Sequence, residues 1–187
     1  MASILMLALS SCKIPLKTAK VAVPAEDSSP PEIISAKFTV LGPGGRIYDI
    51  NEVTSVGRIN VEQALSITIN AQDRESGVRN VQLSGEFLLW CGSTGIGPEQ
   101  HWPINLINTE PAAEVGDSVR VTAGVSKTFK IADAYEETAC TNPPARYQDL
   151  RGTFTLTATN YKGASTTKEY TLTIVPSPTG VTVLDEE

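Results

Sequence analysis

A chain of 187 residues, 41% of them hydrophobic, carries enough apolar material for one ordinary domain with its own core, which excludes a disordered chain. A formal net charge of −6 argues against a nucleic-acid binder, whose phosphate contacts need clustered Lys and Arg. Thr, Val and Ser are abundant and long runs of Leu, Ala, Glu and Lys are missing, a balance that favours strands over helices.

The chain opens with an apolar run, Ile4 to Leu9, far short of the about 20 residues of a membrane-spanning helix but of the order of a signal-peptide core. Met1-Ala2-Ser3 before it lacks the usual Lys or Arg. Leu9-Ser10-Ser11-Cys12 follows, and it resembles the lipobox of bacterial lipoproteins. That resemblance implies cleavage before Cys12, so that residues 1–11 are a signal-peptide remnant, and a lipid on the Cys12 sulfur. Two or more acyl chains hold a protein stably on a membrane where one does so marginally. Lys13 takes the place of the Asp that, in proteobacterial lipoproteins, signals retention in the inner membrane, so the resemblance implies the outer membrane. The alternative is an apolar N-terminal strand with Cys12 as a buried thiol. Residues 12–31, rich in Ser, Pro and charge without apolar periodicity and closed by Ser28-Ser29-Pro30-Pro31, read as a flexible linker.

Residues 32–175 alternate apolar and polar side chains with the period of a strand. Ala36, Phe38 and Val40 share one face, as do Leu65, Ile67 and Ile69; Val81 and Leu83; Phe129 and Ile131; Phe154, Leu156 and Ala158; and Tyr170, Leu172 and Ile174. Turn residues punctuate them at Gly42-Pro43-Gly44-Gly45, Asp73-Arg74-Glu75-Ser76-Gly77 and Asn160-Tyr161-Lys162-Gly163. Gly85 to Trp90 continues or restarts the strand that begins near Val78. Cys91 to Asp117 reads as a long loop, Ala132 to Leu150 as a connection, and Glu110 to Val115 as the only helical turn. Residues 176–187, ending in Asp185, Glu186 and Glu187, read as a tail. Short strands with one polar face each make an all-β antiparallel sandwich the natural solution.

Two stretches carry a resemblance to the immunoglobulin-like domains of bacterial surface proteins, shared with fibronectin type III domains. Asp73-x-x-Ser76-Gly77-Val78-x-x-Val81-x-Leu83 resembles their B–C turn and strand C. Gly152-x-Phe154-x-Leu156-x-Ala158-x-Asn160-x-x-Gly163 resembles strand F and the turn into G. Antibody domains carry a strand-F Cys, a strand-B Cys and a strand-C Trp, and this chain has none of them near Leu156, Ile67 and Val81, so the resemblance implies the sandwich and not the antibody set. The resemblance implies that the connections holding Cys91 and Cys140 lie at one end of the sandwich, so that an oxidising compartment would let them pair. Such a bridge closes about fifty residues and is worth about 4 kcal/mol in the chain-entropy view. Two free thiols are the alternative.

The chain has one His and no HExxH, CxxC, P-loop or GxSxG pattern, so a non-catalytic module without a cofactor is expected. Trp90, His101, Trp102, Tyr135 and Tyr147 are candidate ligand-binding residues. As exposed rings they suit a glycan or a protein; the plainer alternative is that they cap the end of the core. Asp73, Glu75 and Asn160 are a weak calcium candidate, against the simpler reading in which Asp73 bonds its own turn. The expectation is a lipid-anchored cell-envelope binding or structural module, with a carbohydrate-binding module or an accessory subunit of a surface complex as alternatives.

Overall fold

A computed structural model describes residues 19–42, 44–90, 99–138 and 149–177. Cys12, Cys91, Cys140 and Tyr147 lie outside the described residues, as do the signal-like segment and residues 178–187.

In chain order the elements are β1 (Lys20–Ala22), β2 (Glu32–Val40), β3 (Ile47–Asp49), β4 (Ser55–Asn60), β5 (Ala64–Gln72), β6 (Val78–Trp90), β7 (Glu99–Thr109), β8 (Ser118–Arg120), β9 (Thr122–Lys130), α1 (Ile131–Glu137), β10 (Leu150–Asn160) and β11 (Ser165–Ser177). They form a four-stranded sheet, β3-β2-β5-β9, facing a five-stranded sheet, β4-β11-β10-β6-β7, with β1 and β8 paired at one end. Neighbours are antiparallel except β4, which runs parallel to β11. The chain thus crosses between the two large sheets after β3, β4, β5 and β9 and, by way of β8, between β7 and β9, which is the crossed connectivity of an immunoglobulin-like sandwich.

Alternation explains the core. Phe38, Leu65, Ile67 and Ile69 from one sheet and Leu83, Phe87, Phe154, Leu156, Leu172 and Ile174 from the other are all buried between the layers. Their outward neighbours on β10 and β11 are hydroxyl residues, and Thr157 and Thr159 meet Thr167 and Ser165 across the ladder at 3.4 and 2.9 Å. Phe154 lies opposite Gly85 in the β6–β10 ladder and turns its ring edge-on to Phe87, with centroids 5.0 Å apart. That packing needs a residue without a side chain at position 85.

Three readings of the sequence are corrected. Within the stretch read as a loop from Cys91 to Asp117, Glu99–Thr109 is an eleven-residue strand. Pro103 disguises it, but a proline is tolerated at a sheet edge when its missing N–H faces away from the neighbour. The helical turn falls at Ile131–Glu137 rather than at Glu110–Val115, where no helix forms. Its first turn is closed by the Lys130 amide donating to Asp133 Oδ2 at 2.7 Å, and Ile131, Ala134 and Tyr135 form its buried side.

The third correction concerns the linker. Residues 19–31 are docked on the domain. β1 pairs with β8, Val121 N–H donates to the Ala19 carbonyl at 3.0 Å, and Val23 is buried. Asn160 Nδ2 then donates to Asp27 Oδ2 and to the Ser29 carbonyl, at 3.2 and 2.9 Å, and Thr166 Oγ1 donates to the Pro31 carbonyl at 2.6 Å. Polar composition suggested a free coil, but backbone pairing needs no apolar period.

Candidate binding surfaces

The four described candidates, Trp90, His101, Trp102 and Tyr135, do not form one surface; Tyr147 lies outside the described residues. Trp102 pairs with Phe87 across the β6–β7 ladder and therefore faces the core. It is 2% exposed, stacks on Phe87 at 5.9 Å, meets Phe129 edge-on at 5.2 Å and donates its indole N–H to Glu137 Oε2 at 2.5 Å. Tyr135 is fully buried on the inner side of α1, and burial, with a smaller contribution from Asp149, pushes its phenol well above the ordinary tyrosine range. Both are core caps, which corrects their candidacy as ligand contacts and leaves no coplanar Trp90–Trp102 platform.

Trp90 and His101 lie on the outer face of the five-stranded sheet. The Arg151 guanidinium covers the Trp90 ring at 5.1 Å from its centroid. His101 Nδ1 is 3.0 Å from Glu86 Oε2 and its Nε2 is 3.9 Å from Glu99 Oε1. The charged groups of this patch are engaged with its rings and with one another.

Two of the calcium candidates, Asp73 and Asn160, close their own turns. Asp73 Oδ1 accepts the amides of Glu75, Ser76 and Gly77 at 2.9, 2.8 and 3.3 Å. Asn160 Oδ1 accepts those of Lys162 and Ala164 at 3.0 and 2.9 Å. One oxygen of each is thus occupied by its own turn, and among the described residues no group of three or more His, Cys, Asp or Glu is placed to hold a metal ion.

Asp27, which the sequence did not single out, is the polar clasp of the docked segment. The Ser76 hydroxyl beside it, and next the Ser29 amide, hold its carboxyl below the usual aspartate value of 3.8, although partial burial opposes them. A carboxylate with a depressed folded-state pKa stabilises above its unfolded pKa, and the contribution disappears as pH falls through the folded value. The Ser29 amide, which donates to Asp27 Oδ1 at 2.9 Å, is therefore expected to lose hydrogen-exchange protection on acidification below about pH 4. Asp27→Asn is expected to remove that step, and exchange monitored by NMR between pH 2 and 6 checks it.

The flank where β7 and β9 come together differs from the opposite one. There, residues 50–54 cross from β3 to β4, with Ile50 buried and Val53 packed on the core. Between β7 and β9 a groove of about 440 Å³ remains, lined by Asn105–Asn108 and Gly124–Ser126, and Asn108 Nδ2 bridges it to the Gly124 carbonyl at 2.8 Å.

No family model matches the chain, and no curated protein matches it. Among solved structures it is similar to an ASH / PapD-like domain of human CEP192 (PapD-like domain 7), with 12% identity and a TM-score of 0.37 over 83% of this chain and 93% of that one. The sandwich assignment rests on this chain's own strand order and register.

Proposed function

We propose that this chain is an exported lipoprotein, anchored through Cys12 in the bacterial outer membrane, whose immunoglobulin-like domain is a non-catalytic binding or structural module. The observation that carries the reading is Leu9-Ser10-Ser11-Cys12 behind a short apolar run. The sandwich suits such a module, since its exposed surface offers strand edges and flat faces. Among the described residues no helix is long and apolar enough to cross a membrane.

Export carries with it a Cys91–Cys140 disulfide. β6 ends at Trp90 and α1 at Glu137, and the Trp102–Glu137 hydrogen bond ties these two regions together at one end of the sandwich. The chain segments leading to the two cysteines leave from that end, which supports the pairing.

Intact mass of the protein purified from bacterial membranes tests both parts. Loss of residues 1–11 with a lipid-sized increment on Cys12, abolished in Cys12→Ala, is the expected result, together with a gain of two protons on reduction. A chain that keeps Met1 to Ser11 and carries an unmodified Cys12 defeats the anchor.

A further inference from the structure

The backbone of β7 has one paired and one unpaired side. Glu110 N–H donates to the Arg79 carbonyl at 2.8 Å, which fixes the phase of the antiparallel ladder. Even-numbered residues of β7 exchange hydrogen bonds with β6, and odd-numbered ones direct their N–H and C=O away from it. Pro103, which has no N–H to give, falls on an odd position, as that phase requires. Among the described residues no strand pairs with the far side of β7, so Asn105, Ile107 and Thr109 present a free row of donors and acceptors.

Edge strands are normally guarded by proline, by charge or by charges pointing inward. The first half of β7 has all three: Pro103 and Glu99 on the strand, and Lys127 at an inward position of β9 with its amine 5.2 Å from the Trp102 ring. The second half, Asn105 to Thr109, has none. It carries Ile107, which is 58% exposed on the outer face.

We infer that Asn105–Thr109 is a strand-pairing interface for a second copy of this chain, antiparallel about a two-fold axis through Ile107. The residues around that position are self-complementary. Pro103 and Pro111 stand four places before and after it, so each proline meets the other at the ends of the paired segment and no free N–H is stranded between them. Asn105 meets Thr109, and Ile107 meets its own copy, covering both exposed side chains. About six backbone hydrogen bonds form, two at the axis and two at each Asn105–Thr109 pair. The charged groups flanking the segment are already engaged within one copy: Glu110 pairs with Arg120, and the Lys127 amine lies 5.2 Å from the Trp102 ring centroid. Five residues of edge bury less than the about 1,000 Å² of a persistent interface, so association is concentration-dependent.

Sedimentation equilibrium of the full chain from about 1 to 500 μM, with amide exchange by NMR across the same range, tests the interface. The expected result is a monomer–dimer equilibrium in which the Ile107 and Thr109 amides become at least tenfold better protected at high concentration, while those of Glu99 and His101 do not change. Ile107→Lys, an exposed substitution that leaves the core untouched, is expected to remain monomeric with unchanged thermal unfolding. A chain that stays monomeric throughout, or a dimer in which Ile107 exchanges equally fast at both ends of the range, overturns the inference. The interface does not depend on lipidation, so the mass measurement on Cys12 can fail without affecting it.

Discussion

Trp102→Ala is expected to lower stability by about 3–5 kcal/mol, the cost of deleting a large buried ring whose site refills only in part. Trp102 holds three elements together. It stacks on Phe87 of β6, meets Phe129 of β9 edge-on and bonds Glu137 of α1. Its loss therefore opens a void at the end of the sandwich and frees the helix that leads toward Cys140. Urea unfolding measures the effect, and Trp102→Phe, which keeps an aromatic ring but not the indole N–H, separates the packing part from the hydrogen bond. An alanine variant within about 1 kcal/mol of the parent would mean that Trp102 is not in the core.

Gly85→Val is expected to cost about 3 kcal/mol through overpacking. A Cβ at position 85 would stand 2.1 Å from the Thr153 carbonyl oxygen and 2.8 Å from Phe154 Cα. Both neighbours are backbone of the adjacent strand, so no side-chain rotation relieves the clash and β6 must move away from β10. Gly163→Ala is the control. Gly163 has a φ of +91° with nothing within 4 Å of the added carbon, so only the backbone preference is lost, about 1 kcal/mol. Equal losses for the two variants, read from the same unfolding curves, would remove the case for close approach at Gly85.

The sandwich was legible because alternation is a local signal. Ala36-Phe38-Val40, Leu65-Ile67-Ile69 and Phe154-Leu156-Ala158 each name their buried face from sequence alone, and all are buried. β7 was harder. Trp102, Ile104 and Leu106 do alternate, but Pro103 and the two Asn residues imitate a loop, and a proline's tolerance depends on which side of the strand has a neighbour. The docking of residues 19–31 left no mark in composition, because its bonds run through backbone and through Asp27 and Asn160, 133 positions apart. The aromatic candidates failed for a related reason. Trp90 and Trp102 face opposite sides of one sheet, and their relative phase is set by the β6–β7 register, not by their spacing in the chain.

The docked N-terminal segment changes what an anchor at Cys12 would do. A linker running to residue 31 would let the domain roam; with β1 fixed beside β8, an anchor at Cys12 would stand seven residue steps from Ala19, a reach of at most about 25 Å. β1 lies at the end of the sandwich that holds Arg120 and Glu110, where β7 finishes. Pairing two copies antiparallel through β7 would place their N-terminal strands at opposite ends of the joined sheet. A pair so anchored to one membrane would therefore lie with its strands along the surface, whereas a single copy, held at one end, would be free to stand upright.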